Sequence, residues 1–189
     1  MTSSVDLYWL PLGAGGRYVR RNGVVFEAVM SRLERRPARA LYHSALEVRA
    51  PSGCFVIEMA PLAGSVAGER GIVAEGAVGS SVLRRFEIFR YEIRRWRDGV
   101  IPDKAEAVES PVELSDDPAQ AERLLELVSQ VPTPVWGRDE LGAGEMWNSN
   151  SLISWLAVRG GLAADAIRPP AGGRAPGWAA GLAVARRDT

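Results

Sequence analysis

Leu41-Tyr42-His43-Ser44-Ala45-Leu46-Glu47-Val48-Arg49-Ala50-Pro51-Ser52-Gly53-Cys54-Phe55-Val56-Ile57-Glu58-Met59-Ala60 is the stretch from which the fold can be read. Residues 41–49 and 54–60 are β-rich runs separated by Ala50-Pro51-Ser52-Gly53, a loop of hairpin length. Side chains alternate faces along a strand, so pairing Arg49 with Cys54 assigns every residue to a face. Leu46, Val48, Phe55, Ile57 and Met59 then form one coherent apolar face. The other carries His43, Ala45, Glu47, Cys54, Val56 and Glu58, a mixed surface that offers polar chemistry.

Outward from the hairpin, residues 5–12 read as a strand ended by Pro11 and the glycine-rich Gly13-Ala14-Gly15-Gly16. Val25, Phe26, Val29, Met30 and Leu33 recur at helical spacing over residues 23–36, and Pro37 stops the run. Residues 62–83, rich in Gly, Ala and Ser, read as a long loop. Residues 84–96 alternate around Phe89, Tyr91 and Ile93 as a strand with one solvated face, and Asp98-Gly99 marks a turn. Ser115 or Asp116 is expected to cap a helix over 118–131, and Asn148 opens a last helix that reaches Arg159 before Gly160-Gly161. The Gly/Pro-rich tail after Pro170 reads as packed irregular chain ending in a short strand or frayed end. The whole predicts one α+β domain over 1–189, an antiparallel sheet packed with helices. Residues 5–160 form its core and 161–189 a C-terminal extension.

Composition narrows the function classes. A chain of 189 residues, 47% hydrophobic and 24% charged, is long enough to bury its own core and unlike disordered sequences. The formal net charge is zero, but residues 1–100 carry 15 basic and 10 acidic groups, net +5, and residues 101–189 carry 8 and 13, net −5. Such balance argues against nucleic acid as partner and suggests complementary patches. With Cys54 the single cysteine and His43 the single histidine, neither a disulfide nor an N/S zinc cluster is expected, and no cofactor is implied. No apolar run approaches the ~20 residues a bilayer span needs. No basic, apolar leader opens the chain, so a cytoplasmic location without membrane contact is expected. The abundance of Ala, Gly and Arg suits a high-GC bacterial origin.

Two places offer chemistry. The last helix begins Trp147-Asn148-Ser149-Asn150-Ser151-Leu152, an unusually polar first turn. With Asn148 as N-cap, Ser149 sits at the first helical position, where unpaired N–H groups and the helix dipole favour developing negative charge. His43 lies on the mixed face of its strand. Each has an ordinary structural reading, as a cap and as a hydrogen-bonded strand residue.

Taken together, the two segments resemble a known family. Tyr42-His43-Ser44-Ala45-Leu46-Glu47-Val48 is similar to the histidine strand of PPPDE-type isopeptidases, in which an aromatic residue, histidine and a small hydroxyl residue precede alternating apolar positions. Asn148-Ser149-Asn150-Ser151-Leu152 resembles that family's Asn-Cys-Asn helix start. The opening strand Val5-Asp6-Leu7-Tyr8 and Gly144-Glu145-Met146-Trp147 extend the likeness across about residues 5–160. The resemblance implies a circularly permuted papain fold, with histidine before the nucleophile, and hydrolysis of amide, isopeptide or ester bonds.

Here Ser149 stands where the family has cysteine, and a helix terminus cannot hold an alcohol as its alkoxide as it can a thiolate. Two readings follow. In one, a serine hydrolase or acyltransferase uses Ser149 as nucleophile, His43 as base and Glu58, diagonal to His43, to orient the imidazole. Asn148 and Asn150, with Trp147 and Trp136 as walls, then contact a peptide, protein or small acyl substrate. In the other, the scaffold has lost catalysis and binds a peptide or protein partner. Ser151 is the alternative hydroxyl if the register slips by two. A homodimer stays open. Arg84-Arg85, Arg94-Arg95 and Arg97, near Phe89, Tyr91 and Trp96, read as a solvated strand edge, with contact to RNA or an acidic partner as the alternative.

Overall fold

The computed structural model describes residues 2–12, 39–62 and 71–187, and the helix expected over 23–36 and the turn at Gly13-Ala14-Gly15-Gly16 lie outside them. The fold is α+β. Six strands form one antiparallel sheet: β1 (Ser4–Pro11), β2 (Tyr42–Ala50), β3 (Gly53–Pro61), β4 (Ile72–Ala77), β5 (Arg90–Arg97) and β6 (Val112–Ser115), in the order β4-β5-β3-β2-β1-β6. Helices α1 (Pro118–Leu127), α2 (Ser149–Arg159) and α3 (Trp178–Arg187) follow.

The β2–β3 register is the expected one. Arg49 faces Cys54, Val48 faces Phe55 and Leu46 faces Ile57, and the chain turns through Pro51-Ser52 between the paired Ala50 and Gly53. Leu46, Val48, Ile57 and Met59 join Val5, Leu7 and Trp9 of β1 and Tyr91 and Ile93 of β5 in the main core. Leu124, Leu125 and Val128 come to that core from the α1 region, and Leu152, Ile153, Trp155 and Leu156 from α2. At about 1.5–3 kcal/mol for each large aliphatic or aromatic side chain withdrawn from water, this layer is the principal source of stability. The opposite sheet face holds a smaller cluster, Tyr8, Leu10, Ala45 and Val56 with Ile101, and the ion-paired Asp6, Glu47, Arg49, Glu58 and Arg94.

Four expectations need correction. β4 lies inside the stretch expected to be loop. Its small residues are there because Gly76 faces Tyr91, whose ring a Cβ at 76 would meet at 2.3 Å. Residues 81–89 are two short 3-10 segments rather than the start of β5. The cap of α1 is Asp117, whose Oδ1 accepts from Ala119 N at 2.8 Å, while Ser115 Oγ accepts from Asp117 N at 3.0 Å. The C-terminal tail is the helix α3. Ala180, Val184 and Ala185 are buried, and Gly181 lies so close to α2 that a Cβ would come within 2.2 Å of the Ser151 carbonyl.

Candidate functional site

The start of α2 forms as the sequence predicts. Asn148 is the N-cap and Ser149 the first helical residue. Asn148 Oδ1 accepts from the backbone N–H of Asn150 at 2.9 Å and of Ser151 at 3.4 Å. Ser151 Oγ accepts in return from Asn148 N at 3.1 Å, a capping box in which serine takes the place usual for Glu or Gln. The next N–H, of Leu152, bonds to Asn148 O at 3.1 Å. The donors expected to serve an oxyanion are therefore engaged from Asn150 onward. Ser151 Oγ also donates to Gly177 O at 2.7 Å, so the alternative hydroxyl is a clamp on the segment entering α3.

Asn150 is equally committed. Its Nδ2 donates to Tyr42 O and to Pro176 O, both at 2.9 Å, and its Oδ1 accepts from Ser44 Oγ at 2.8 Å. Asn148 Nδ2 reaches Pro176 O as well, at 2.8 Å. The two asparagines, placed by sequence at a substrate surface, instead hold three chain segments together. Both are buried, at 8% and 1% exposure. Ser149 is buried too, and its hydroxyl has no hydrogen-bond partner among the described residues.

His43 does not join them. Trp9 pairs with Ser44 and Leu10 with His43 in an unbroken β1–β2 register. Strand alternation therefore sends Ser44 toward α2, where it meets Asn150, and His43 to the opposite face of the sheet. By that alternation the His43 side chain leaves β2 on the face opposite the one where Ser44 meets Asn150, the neighbour of Ser149. On its own side His43 neighbours the apolar cluster of Leu10 and Ala45, and burial lowers its pKa from the usual 6.5 to about 4. The ring is neutral at physiological pH and a weak base.

Glu58 does share His43's face but is turned to β5. Its Oε1 accepts from Arg94 Nη1 at 2.6 Å, Arg94 Nε also bonds Glu92, and all three side chains are buried. Burial raises the Glu58 pKa, and the guanidinium opposes that shift. The carboxylate expected to orient the imidazole instead pairs with the arginine. A second charged group on this face links Asp6 to Arg49 at 2.8 Å and Glu47 to both Arg49 and Lys104.

The tryptophans are packing residues. Trp147 is 2% exposed in the main core, and Trp136 meets the Tyr91 ring edge-on at 5.6 Å between centroids. Trp136 N donates to Ala77 O and its carbonyl accepts from Gly79 N, so it also covers the end of β4. Among the described residues no three His, Cys, Asp or Glu side chains converge to hold a metal ion, and no helix is long and apolar enough to cross a membrane.

Sequence reasoning centred on His43 and Ser149 and passed over Tyr42 and Ser44, the residues that actually meet the helix. Their signal was present in the parity of β2, which puts 42 and 44 on the same face as Leu46 and Val48. No family model, curated protein or solved structure matches the chain.

Proposed function

We propose that this chain is a papain-like scaffold that acts by recognising a peptide or protein partner rather than by breaking a bond in it. The observation that carries the reading is the β1–β2 register, by which His43 points to the sheet face opposite the one on which Ser44 meets Asn150, beside Ser149. A serine nucleophile needs its proton taken during attack by a base within hydrogen-bond reach. The capped first turn supports the same reading, because the N–H groups of Asn150 and Ser151 already have Asn148 Oδ1 as partner. The papain-like element rests on order and packing. A Tyr-His-Ser strand precedes an Asn-Ser-Asn-Ser helix that lies across it, as the resemblance to PPPDE-type proteins implies.

A fluorophosphonate probe for activated serines, with Ser149→Ala and His43→Ala as controls, tests this directly. The expected result is no labelling dependent on either residue, and no hydrolysis of amide or ester substrates by Ser149→Cys. Labelling lost in both variants would overturn the proposal and restore the hydrolase.

A further inference from the structure

The two edges of the sheet differ in a complementary way. Beside β4, the segment leading to β5 exposes Val82, Phe86 and Ile88 at 71%, 47% and 64%. Arg84 and Arg85 are exposed in the same segment, and neither pairs with a carboxylate among the described residues. The Arg85 guanidinium stands 4.8 Å from the centroid of the Phe86 ring. Three large apolar side chains exposed within seven residues, with two unpaired arginines, mark a contact surface rather than ordinary scatter.

At the other edge, β6 is bonded to β1 on one side only. Glu106, Glu109, Glu113 and Asp116 are exposed around it and take part in no ion pair among the described residues. The nearby Lys104 is engaged by Glu47. Along β6 runs a shallow groove of about 360 Å³ lined by Val112, Leu114, Leu162, Ile167 and Arg168. This edge therefore offers negative charge and an apolar trough, where the β4 edge offers positive charge and apolar knobs.

We infer that the occupant of the Val82/Phe86/Ile88 surface is the β6 edge of a second copy of this chain. The charge complementarity selects that occupant. The chain's formal net charge of zero leaves no long-range repulsion between copies, while each copy carries both patches. Because the patches differ and lie at opposite edges, the contact is head-to-tail and leads to a ring or an open chain rather than a two-fold dimer. The inference is independent of whether Ser149 is a nucleophile.

Sedimentation velocity of the full chain over a wide range of concentration and salt tests it. The mass is expected to rise above one chain with concentration at low salt and to fall back as salt screens the contact. Arg84→Glu/Arg85→Glu and Glu113→Arg/Asp116→Arg should each weaken association at least about tenfold, since each juxtaposes like charges. An equimolar mixture of the two should restore it, because each variant then meets an opposite patch. Phe86→Asp should weaken association without altering the circular dichroism spectrum. A wild type that stays a single chain throughout would overturn the inference. So would association that the charge reversals leave intact or that the mixture fails to restore. Binding of the wild type to anionic phospholipid vesicles through Arg84 and Arg85, with no self-association, would reassign the surface to a membrane.

Discussion

The hydroxyl of Ser44 donates to Oδ1 of Asn150 at 2.8 Å, a bond that spans 106 positions of chain and joins the middle of the sheet to the first turn of α2. It sits within a larger junction. Asn150 also donates to Tyr42 O and Pro176 O, and Asn148 caps the helix while reaching the same Pro176 carbonyl. The residues that make the two segments resemble a peptidase site are thus bonded to one another through Ser44 and Asn150, not through His43 and Ser149.

A double-mutant cycle on this pair should show the coupling. Asn150→Ala strips the buried Tyr42 carbonyl and Ser44 hydroxyl of partners, and is expected to cost about 2–4 kcal/mol. Ser44→Ala should cost about 1 kcal/mol, and urea unfolding followed by tryptophan fluorescence should give a coupling of about 0.5–1.5 kcal/mol between them. Additivity would mean that the bond contributes nothing to the junction.

The matching cycle on His43 and Ser149 is expected to give the opposite result. Residues that share no partner add within about 0.5 kcal/mol. His43→Ala and Ser149→Ala should therefore be additive in unfolding free energy. A larger coupling would mean that the two side chains meet in solution, contrary to the register of β1 and β2.

Much of this architecture was legible because strand periodicity is strict. The pairing of Arg49 with Cys54 followed from one turn and one apolar alternation, and the Asn148 cap followed from residue type at a helix start. What escaped was decided by neighbours distant in sequence. β4 looks like loop until Tyr91 explains Gly76, and α3 looks irregular until α2 explains Gly181. The side of the sheet on which His43 falls relative to α2 was not legible for a related reason. His43 was correctly assigned to the mixed face, but the face on which α2 packs depends on which side of the sheet the core lies. A motif of seven residues does not contain that information.

Burial of His43 makes a prediction in acid. Its pKa of about 4 in the folded chain lies below the usual 6.5, so the unfolded chain takes up the proton first as pH falls. The stability that neutral His43 contributes is complete above pH 6.5 and is lost progressively toward pH 4. Each tenfold weakening of proton affinity on folding is worth about 1.4 kcal/mol, so the full loss amounts to about 3.5 kcal/mol. The difference in unfolding free energy between wild type and His43→Gln, measured from about pH 7 to pH 4, should move in favour of the variant across that window. A difference that stays constant would show that the imidazole remains solvated.

Gly181 tests the helix pair. A Cβ there would stand 2.0 Å from Ser154 Oγ and 2.2 Å from the Ser151 carbonyl. The hydroxyl can rotate away at the expense of its bond to Trp178 O, but the carbonyl belongs to the helix backbone and cannot. Gly181→Ala should force α2 and α3 apart, costing about 2–3 kcal/mol and lowering Tm by about 5–10 °C in calorimetry. Ala is the better helix former, so any gain in stability would show that the two helices do not pack this closely.

Arg94 is the residue on which the polar face of the sheet depends. It is 6% exposed and bonds both Glu58 and Glu92, themselves 7% and 0% exposed. Arg94→Met keeps most of the volume but leaves two buried carboxylates without this cation, and breaking a buried pair from one side costs about 3–5 kcal/mol. The sign of its pH dependence follows from Glu58, whose pKa burial already raises. A raised carboxyl protonates in the folded chain before it does in the unfolded one, so folding with a neutral Glu58 is favoured as pH falls. The deficit of Arg94→Met should therefore be largest at about pH 7 and shrink toward pH 5, and adding Glu58→Gln should recover part of it at neutral pH. A deficit independent of pH would mean that lost packing of the guanidinium stem, and not the unpaired charge, carries the effect.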